Sequence, residues 1–330
     1  MPELPELAKM AKGINKFSQG KSFTSITKAA ISKNEEIIPP FTPFSLSASS
    51  RGKELLLQFS PISEEDKTLT NHNLLMTMGL GGFWRYNTAK KSKKEEPKYT
   101  LLTFQADDGT KMWHGDKLRF SKWKFTDGFS KNRSPDPVKE YNEFVDNIKK
   151  GFSKKSSLKT FQSPISEVLL NQKYFNGIGN YLRAEILLRA NIHPQEKACN
   201  ALLVTEPLND ENVKNILLPE PKDFDFHNSI ILKLCKSLSQ QMIDATFIGK
   251  RIEMKAYRSK NSSSFKDKNN RTVWFHESQQ FVIQPVESEI MEKENQDNIS
   301  ISIEKTKKKR RRSARISKSD IPDTKRIKVE

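Results

Sequence analysis

Cysteine is almost missing from this 330-residue chain, with Cys199 and Cys235 the whole complement. Two distant thiols can build neither a disulfide framework nor a paired C-x-x-C zinc site. The chain is therefore expected to work inside a cell. Long apolar runs are missing too: no stretch of about 18 apolar residues occurs, and the N-terminus lacks the apolar core of a secretory signal. No membrane span or secretion is expected. Hydrophobic residues make up 35% of the chain, which is low for a wholly globular protein, so part of it is expected to be unstructured. No internal repeat is visible.

Positive charge is abundant. Lys and Arg number 57 against 40 Asp and Glu, a formal net charge of +17. Nucleic acid is the leading partner on that count, because neutralising phosphates with Lys and Arg dominates such binding. An anionic membrane surface or an acidic protein fits the charge as well. The excess peaks at Lys307 to Arg312, six cations in a row, in a region where apolar periodicity has stopped. Residues 288–330 read as a disordered basic tail. The run is a nuclear address, a nonspecific DNA tether or a solvated charge cluster.

Residues 3–17 carry Leu4, Leu7, Ala8, Ala11 and Ile14 at helical spacing, with Pro5 in the first turn, where a missing N–H costs nothing. From about Phe23 to Phe125 the pattern shifts to short β-type runs ("ELLLQF", "GGFWRY", "YTLLTF", "KWKF") broken by turn formers and charge clusters, as in an antiparallel sandwich. Lys90–Lys98 reads as an exposed hairpin loop. The turn-rich stretch 126–138 reads as a linker. Helical patterns follow in "KEYNEFVDNIKKGF", "SPISEVLLNQ", "NYLRAEILLRAN" and "HNSIILKLCKSLSQQMIDATF", with Ser163 as N-cap and Pro164 at the first helical position of the second. Between Lys250 and Phe281 two β-type runs flank "KDKNNR", which predicts a hairpin.

In "YFNGIGNYLRAEILLRA", Gly177 and Gly179 bracket Ile178 and Asn180 starts a helix, so backbone N–H groups converge at a positively polarised helix N-terminus. A generic G-x-G here is either a phosphate site or a corner with glycines for packing. Taken with "PELPE" at the start, "SRGKELLL" at Ser50–Leu57 and "NRTVWF" at Asn270–Phe275, in that order, the chain resembles the formamidopyrimidine-DNA glycosylase and endonuclease VIII family of base-excision enzymes over residues 2–285.

The resemblance implies an α+β fold. An N-terminal catalytic β-sandwich flanked by helices would span 1–130, a helix-two-turn-helix DNA-binding domain 131–246 and a finger hairpin 247–287, with the tail after it. It implies a bifunctional DNA glycosylase and abasic-site lyase acting on oxidised pyrimidines, formamidopyrimidines and hydantoins. Such an enzyme would act as a monomer on damaged duplex DNA, with single strands left open, needing no metal or nucleotide cofactor, in the nucleus or in a viral replication compartment. Trimming of Met1 before the small Pro2 would free a secondary amine. An α-amino group has a reference pKa of about 7.7 to 8.0, so a useful fraction is neutral near pH 7. Its attack on an aldehyde-like carbon gives an iminium ion already cationic without a proton. The family directs this nitrogen to C1′ of the damaged nucleotide, followed by strand cleavage through β,δ-elimination. Glu3 would be the general acid, which needs a raised pKa, and Lys53 would assist at the sugar and its phosphate. Glu6 is either an accessory to these or an ordinary first-turn acid.

DNA binding would fall to Asn176, Gly177, Gly179 and Asn180 at the turn and to Arg271 at the fingertip, where Arg271 also helps the final elimination. Leu80, Leu118 and Phe120 would fill the space of the extruded base. Family members commonly close the finger with four cysteines. Here His276 and Gln279 stand at two of those positions, and one histidine is not enough for zinc. The finger is read as zincless, with Val273, Trp274, Phe275 and Phe281 packing in place of the metal. A noncatalytic DNA-binding module and an RNA-binding protein with the same helical corner are the rival readings. Neither accounts for Pro2, Glu3 and Lys53 together.

Overall fold

The computed structural model describes residues 1–39, 41–62, 72–87, 95–250 and 252–283. Met1–Val282 form one compact unit, and of the second unit, Ile283–Glu330, only Ile283 is described. The basic tail, the end of the finger after residue 283 and most of the Lys90–Lys98 loop lie outside the described residues.

Helix α1 spans Leu4–Ser18. Leu4, Leu7, Ala11, Ile14 and Phe17 recur every three or four residues and are buried, the stripe that drives a surface helix onto a core. Glu3 is the N-cap residue. The Glu6 carboxylate accepts the Glu3 N–H at 2.9 Å, which satisfies one of the orphan donors at the helix start and places negative charge at the positive end of the dipole.

Eight strands follow: β1 Phe23–Lys28, β2 Phe44–Arg51, β3 Glu54–Pro61, β4 His72–Thr77, β5 Gly82–Asn87, β6 Thr100–Ala106, β7 Lys111–Asp116 and β8 Lys122–Thr126. They form one antiparallel sheet in the order β5-β7-β6-β1-β2-β3-β4-β8. Between β1 and β2 only Phe23 and Phe44 pair, so the sheet folds there into two four-stranded halves. Trp84, Leu102, Phe104 and Met112 of one half share a core with Leu46, Leu55, Leu57, Phe59 and Leu74 of the other, which makes the sheet a sandwich. Stacked rings close the joint, Phe23 on Phe44 at 5.7 Å and Phe44 against Phe59 at 5.1 Å. Helix α1 is tied to β2 by the Asn15 amide, which accepts from Ala48 N at 2.6 Å and donates to Ala48 O at 2.8 Å.

The second apolar core is helical and runs from Phe144 to Val282. It is built by α2 Tyr141–Ser153, α3 Leu158–Phe161, α4 Ile165–Val168, α5 Asn180–Ala190, α6 Ala198–Ala201 and α7 Ile230–Phe247. In α7 the buried set Ile231, Leu232, Cys235, Leu238, Met242 and Ile243 keeps a helical spacing. A hairpin of β9 Ser263–Lys266 and β10 Thr272–Phe275 follows. No helix among the described residues is long and apolar enough to cross a membrane.

One local expectation is corrected. The helix read in "SPISEVLLNQ" is only the four-residue α4; its N-cap is Pro164, and the Ser163 hydroxyl turns back to Lys159 O at 3.2 Å. The neighbouring chain supplies the cap instead: Ile165 N donates to Glu196 O at 2.7 Å and Ser166 N to Pro194 O at 3.1 Å. With those donors already satisfied, a side-chain cap is superfluous.

Phe23 is fully buried at the joint of the two halves. Phe23→Ala is expected to cost about 3–5 kcal/mol of stability, read as a lower urea midpoint; a loss under about 1 kcal/mol would mean that the joint does not hold the sandwich closed.

Candidate active site

The two candidate catalytic side chains meet at one peptide unit, Ile178–Gly179, just before α5. Its N–H donates to Glu3 Oε2 at 2.8 Å, and its carbonyl accepts from Lys53 Nζ at 2.5 Å. Glu3 takes two further bonds from the first turn of α5, from Tyr181 N to Oε1 at 3.0 Å and from Leu182 N to Oε2 at 3.2 Å. Its carboxyl thus caps α5 from outside and sits at the positive end of that helix. A Cβ on Gly179 would lie 2.3 Å from the Glu3 carboxyl carbon, so only glycine allows this approach.

Burial pushes the Glu3 carboxyl up to about 7, against the opposing pull of Lys53 and the Tyr181 and Leu182 amides. Burial lowers Lys53 to about 8; Glu3 counteracts this, while Arg133, Arg271 and Arg183 add to it. The amine at the start of the chain, carried here by Met1, is likewise held below its ordinary value by burial, with Glu3, Lys53, Glu6 and Asp116 as its charged neighbours. Pro2 is half-buried beside it. Glu6 accepts the Tyr181 hydroxyl at 2.8 Å as well as the Glu3 N–H, and so locks α1 to α5.

Lys53 stands on the tight turn between β2 and β3, which is held by the stretch read as a linker together with the first two residues of the string read as helical after it. Gly52 N donates to Asp136 Oδ2 at 2.8 Å, the Lys139 ammonium reaches Ser50 O at 2.6 Å, and Arg51 pairs with Glu140 at 2.6 Å. Arg133 pairs with the buried Glu54 at 3.1 Å. Asp136, Lys139, Glu140 and Arg133 carried no motif signal; their side chains look like surface charge until the chain is folded.

The turn residues expected to bind DNA are only partly free for it. Asn176 is fully buried, and its amide holds the lysine turn: Nδ2 donates to Ser134 O at 3.0 Å and Oδ1 accepts from Lys53 N at 3.3 Å. In that geometry Asn176 braces the two cores, its amide engaged within the protein. The Gly177 N–H is taken by Gln172 Oε1 at 3.0 Å and the Gly179 N–H by Glu3. The convergence of amides is as read, but a carboxylate of the protein occupies it. Asn180, the first residue of α5, is half-exposed, which leaves its side chain the accessible one of the four.

Leu80, Leu118 and Phe120 are 63%, 41% and 65% exposed. They stand on two loops, after β4 and after β7, and not in the strands themselves. Ser121 Oγ joins the loops by accepting the Gly79 N–H at 2.9 Å.

Arg271 is exposed on the β9–β10 turn, in a groove of about 420 Å³ lined also by Lys159, Thr160, Asn171 and Lys268. Asp267 shapes that turn by accepting from Asn269 N and Arg271 N, both at 2.9 Å. Asp267 is itself paired at 3.5 Å with Arg183, which is buried on α5 and donates to Ser166 O at 3.1 Å and Thr272 O at 2.9 Å. Also on α5, Glu185 accepts from Ala256 N at 2.7 Å and Tyr257 N at 3.0 Å.

Among the described residues no group of three or more His, Cys, Asp or Glu is placed to hold a metal ion. The residues at the two cysteine positions bond to each other instead: His276 N donates to Gln279 Oε1, and Gln279 Nε2 to Ile192 O, each at 2.7 Å. Of the four residues expected to replace the metal by packing, only Val273 is fully buried. Phe275 and Phe281 instead clasp His193, at 5.1 and 4.1 Å between ring centroids, and Trp274 meets Tyr257 at 6.4 Å. Polar bonds from α5 and Gln279 do much of what packing alone was expected to do.

With this geometry in view, relatives are informative. Residues 1–123 match the formamidopyrimidine-DNA glycosylase N-terminal domain. The chain is 30% identical over 232 residues to the formamidopyrimidine-DNA glycosylase of Ligilactobacillus salivarius, covering 66% of this chain and 77% of the relative. The chain belongs to the formamidopyrimidine-DNA glycosylase and endonuclease VIII family. It is 28% identical over 292 residues to human Endonuclease 8-like 1, covering 83% of this chain and 72% of that one. The fold is also that of the Lactococcus lactis formamidopyrimidine-DNA glycosylase, solved non-covalently bound to DNA containing an abasic site: TM-score 0.60, 18% identity, 84% of this chain and 99% of that one. This DNA glycosylase therefore carries the two-core architecture of its family with the peptide between Glu3 and Lys53 at its centre.

Replacing Gln279 by alanine would strand the buried Ile192 carbonyl and His276 N–H, and is expected to cost the glycosylase about 1–3 kcal/mol. A chelator is expected to leave the melting temperature of the unmodified protein in place. A chelator-induced drop of several degrees would show that a metal, and not Gln279, closes the finger.

Proposed function

We propose that this glycosylase excises oxidised bases, chiefly oxidised pyrimidines, formamidopyrimidines and hydantoins, and then cleaves the strand. The observation that carries the proposal is the convergence of a buried acid and a half-buried ammonium on the Ile178–Gly179 peptide, with the chain's own amine as a charged neighbour of both. With Met1 removed, the Pro2 nitrogen is the free nucleophile. It attacks C1′; Glu3, raised to about 7 by burial, gives its proton to the ring oxygen as the bond from C1′ to that oxygen breaks; the base leaves with the proton that the amine sheds, and a cationic iminium ion remains. Lys53 carries the positive charge that a neighbouring phosphate requires. The iminium ion withdraws electrons from the sugar, so that the 3′ and then the 5′ phosphate depart by β- and δ-elimination. Arg271 and Asn180 grip the flanking phosphates, and Leu80, Leu118 and Phe120 fill the vacated stack. In this reading the enzyme acts as a monomer on duplex DNA, and Lys307–Arg312, beyond the described residues, address it to the nucleus.

Borohydride reduction during turnover on DNA with an oxidised pyrimidine is expected to leave a protein–DNA adduct whose mass places the bond on Pro2. Pro2→Gly or an N-terminal extension should remove most of the adduct. An extended protein that traps as well as the original would sink the mechanism.

The pH profile follows from the same groups. Glu3 is an acid only while protonated, so excision falls as pH rises through about 7, and it falls on the acid side as the amine takes up a proton. Glu3→Gln is expected to lower excision by about 10²–10⁴-fold and to remove the alkaline limb near 7 from kcat/KM. Survival of that limb in Glu3→Gln would assign it to another group.

A further inference from the structure

We propose that Asp116 is the positioning residue for base extrusion: one buried carboxylate sets both loops that present Leu80, Leu118 and Phe120. The inference rests on the extrusion role given above to those three side chains. Asp116 ends β7 with no exposed surface. Its Oδ1 accepts from Leu118 N at 3.0 Å; its Oδ2 accepts from Phe120 N at 2.9 Å, Ser121 N at 2.8 Å and Ser121 Oγ at 2.9 Å. The Ser121 hydroxyl, having donated to Asp116, accepts the Gly79 N–H at 2.9 Å, and Gly79 immediately precedes Leu80. A Cβ on Gly79 would stand 2.0 Å from Asp116 Oδ2, so the first loop is laid directly over the carboxylate.

No lysine or arginine pairs with Asp116 among the described residues. Burying a carboxylate is costly unless donors compensate, and here four compact N–H and O–H donors do so. Burial pushes its pKa up, but the bonds from Ser121, Leu118 and Phe120 outweigh this and hold it below its ordinary value. The carboxylate is thus a fixed anion whose donors are the backbone of the wedge itself. An apolar wedge exposed to water gains from being held in its inserted shape beforehand, because no loop ordering is then left to oppose insertion. Asparagine in this place must turn its NH₂ group either toward Leu118 N–H or toward the Phe120 and Ser121 N–H groups, so at least one donor of the wedge loop loses its acceptor.

The test uses the full chain with Asp116→Asn and, as a milder change that deletes a single hydroxyl, Ser121→Ala. Two substrates are compared: duplex DNA with an oxidised pyrimidine, which must be extruded, and a single strand with an abasic site, which presents no stacked base. A third reading is the fluorescence of 2-aminopurine beside a non-cleavable abasic analogue in duplex, which rises on unstacking independently of chemistry. The proposal expects Asp116→Asn to lower duplex excision at least fivefold more than single-strand nicking, Ser121→Ala to do so about two- to threefold, and both to reduce the fluorescence rise. Equal losses on both substrates, or an unchanged fluorescence rise in Ser121→Ala with duplex excision at the original rate, would overturn it. An unmodified protein that cuts neither substrate would instead overturn the glycosylase reading on which it rests.

Discussion

One peptide bond carries the organisation of this molecule. The Ile178–Gly179 unit offers its N–H to Glu3 from the first strand-flanking helix and its carbonyl to Lys53 from the β2–β3 turn, and Gln172 Nε2 adds a second bond to the same carbonyl at 3.1 Å. The peptide belongs to the helical core, and neither α1 nor the β2–β3 turn can shift relative to it without breaking one of these hydrogen bonds. Such bonds are roughly twice as strong as neutral ones, and leaving a buried charge without its partner is costlier still. A packed helical corner is thereby turned into the ruler that sets the distance between an acid and an ammonium.

The same burial that makes the arrangement rigid makes it reactive. In water Glu3 would be ionised and Lys53 protonated, and both would be ordinary at neutral pH. Taken out of water, each is driven toward its neutral form, Glu3 up to about 7 and Lys53 down to about 8. Their mutual attraction limits how far either moves, so the pair shares its titration. The chain's first amine lies within the same field, lowered by burial and by Lys53 while Glu3 and Glu6 raise it. Glu3 and Lys53, with reference values far apart, are thus brought toward one another, and the first amine is lowered beside them, the kind of shift that places titratable groups near neutral pH.

The parts of the site written as contiguous motifs were legible in the sequence, and the parts assembled across it were not. "PELPE", "GKEL" and "NGIGNY" are each ambiguous alone and pointed to this place only together and in order, through a proline amine, a lysine on a glycine turn and a glycine-flanked helix start. What could not be read is which partner fills an opening. The amides around Gly177 and Gly179 announce an anion site, yet the anion belongs to Glu3, 176 positions away from Gly179. Asn176 sits in the most suggestive stretch of the chain and faces inward, because the β2–β3 turn needs its amide. Asp136 was lost among turn formers for the opposite reason: its bonds from the Val138 and Lys139 N–H groups are those of a local turn, whereas the bond from Gly52 N–H that holds the lysine turn depends on a distant segment whose approach no local pattern encodes. The sandwich was readable from strand alternation, whereas its closure at Phe23 and Phe44 is a single long-range pair.

The described residues of the finger are held by directional polar bonds as well as by packing. A structural zinc fixes two chain segments through four strong, directional bonds and supplies folding free energy outright. Apolar packing can supply the energy but is non-directional, so packing alone would leave the aim of Arg271 loose. Here the directional part is recovered by charge and amide chemistry: Arg183 and Asp267 lock the turn to α5, Glu185 holds the 256–257 amides, and Gln279 closes the far end onto Ile192. Since α5 begins at the peptide gripped by Glu3 and Lys53, the fingertip arginine is indexed to the same ruler as that pair. The helix that was expected to present DNA-binding amides at its start thus acts through its whole length, with its N-terminus fixing the chemistry and its buried charged face fixing the fingertip.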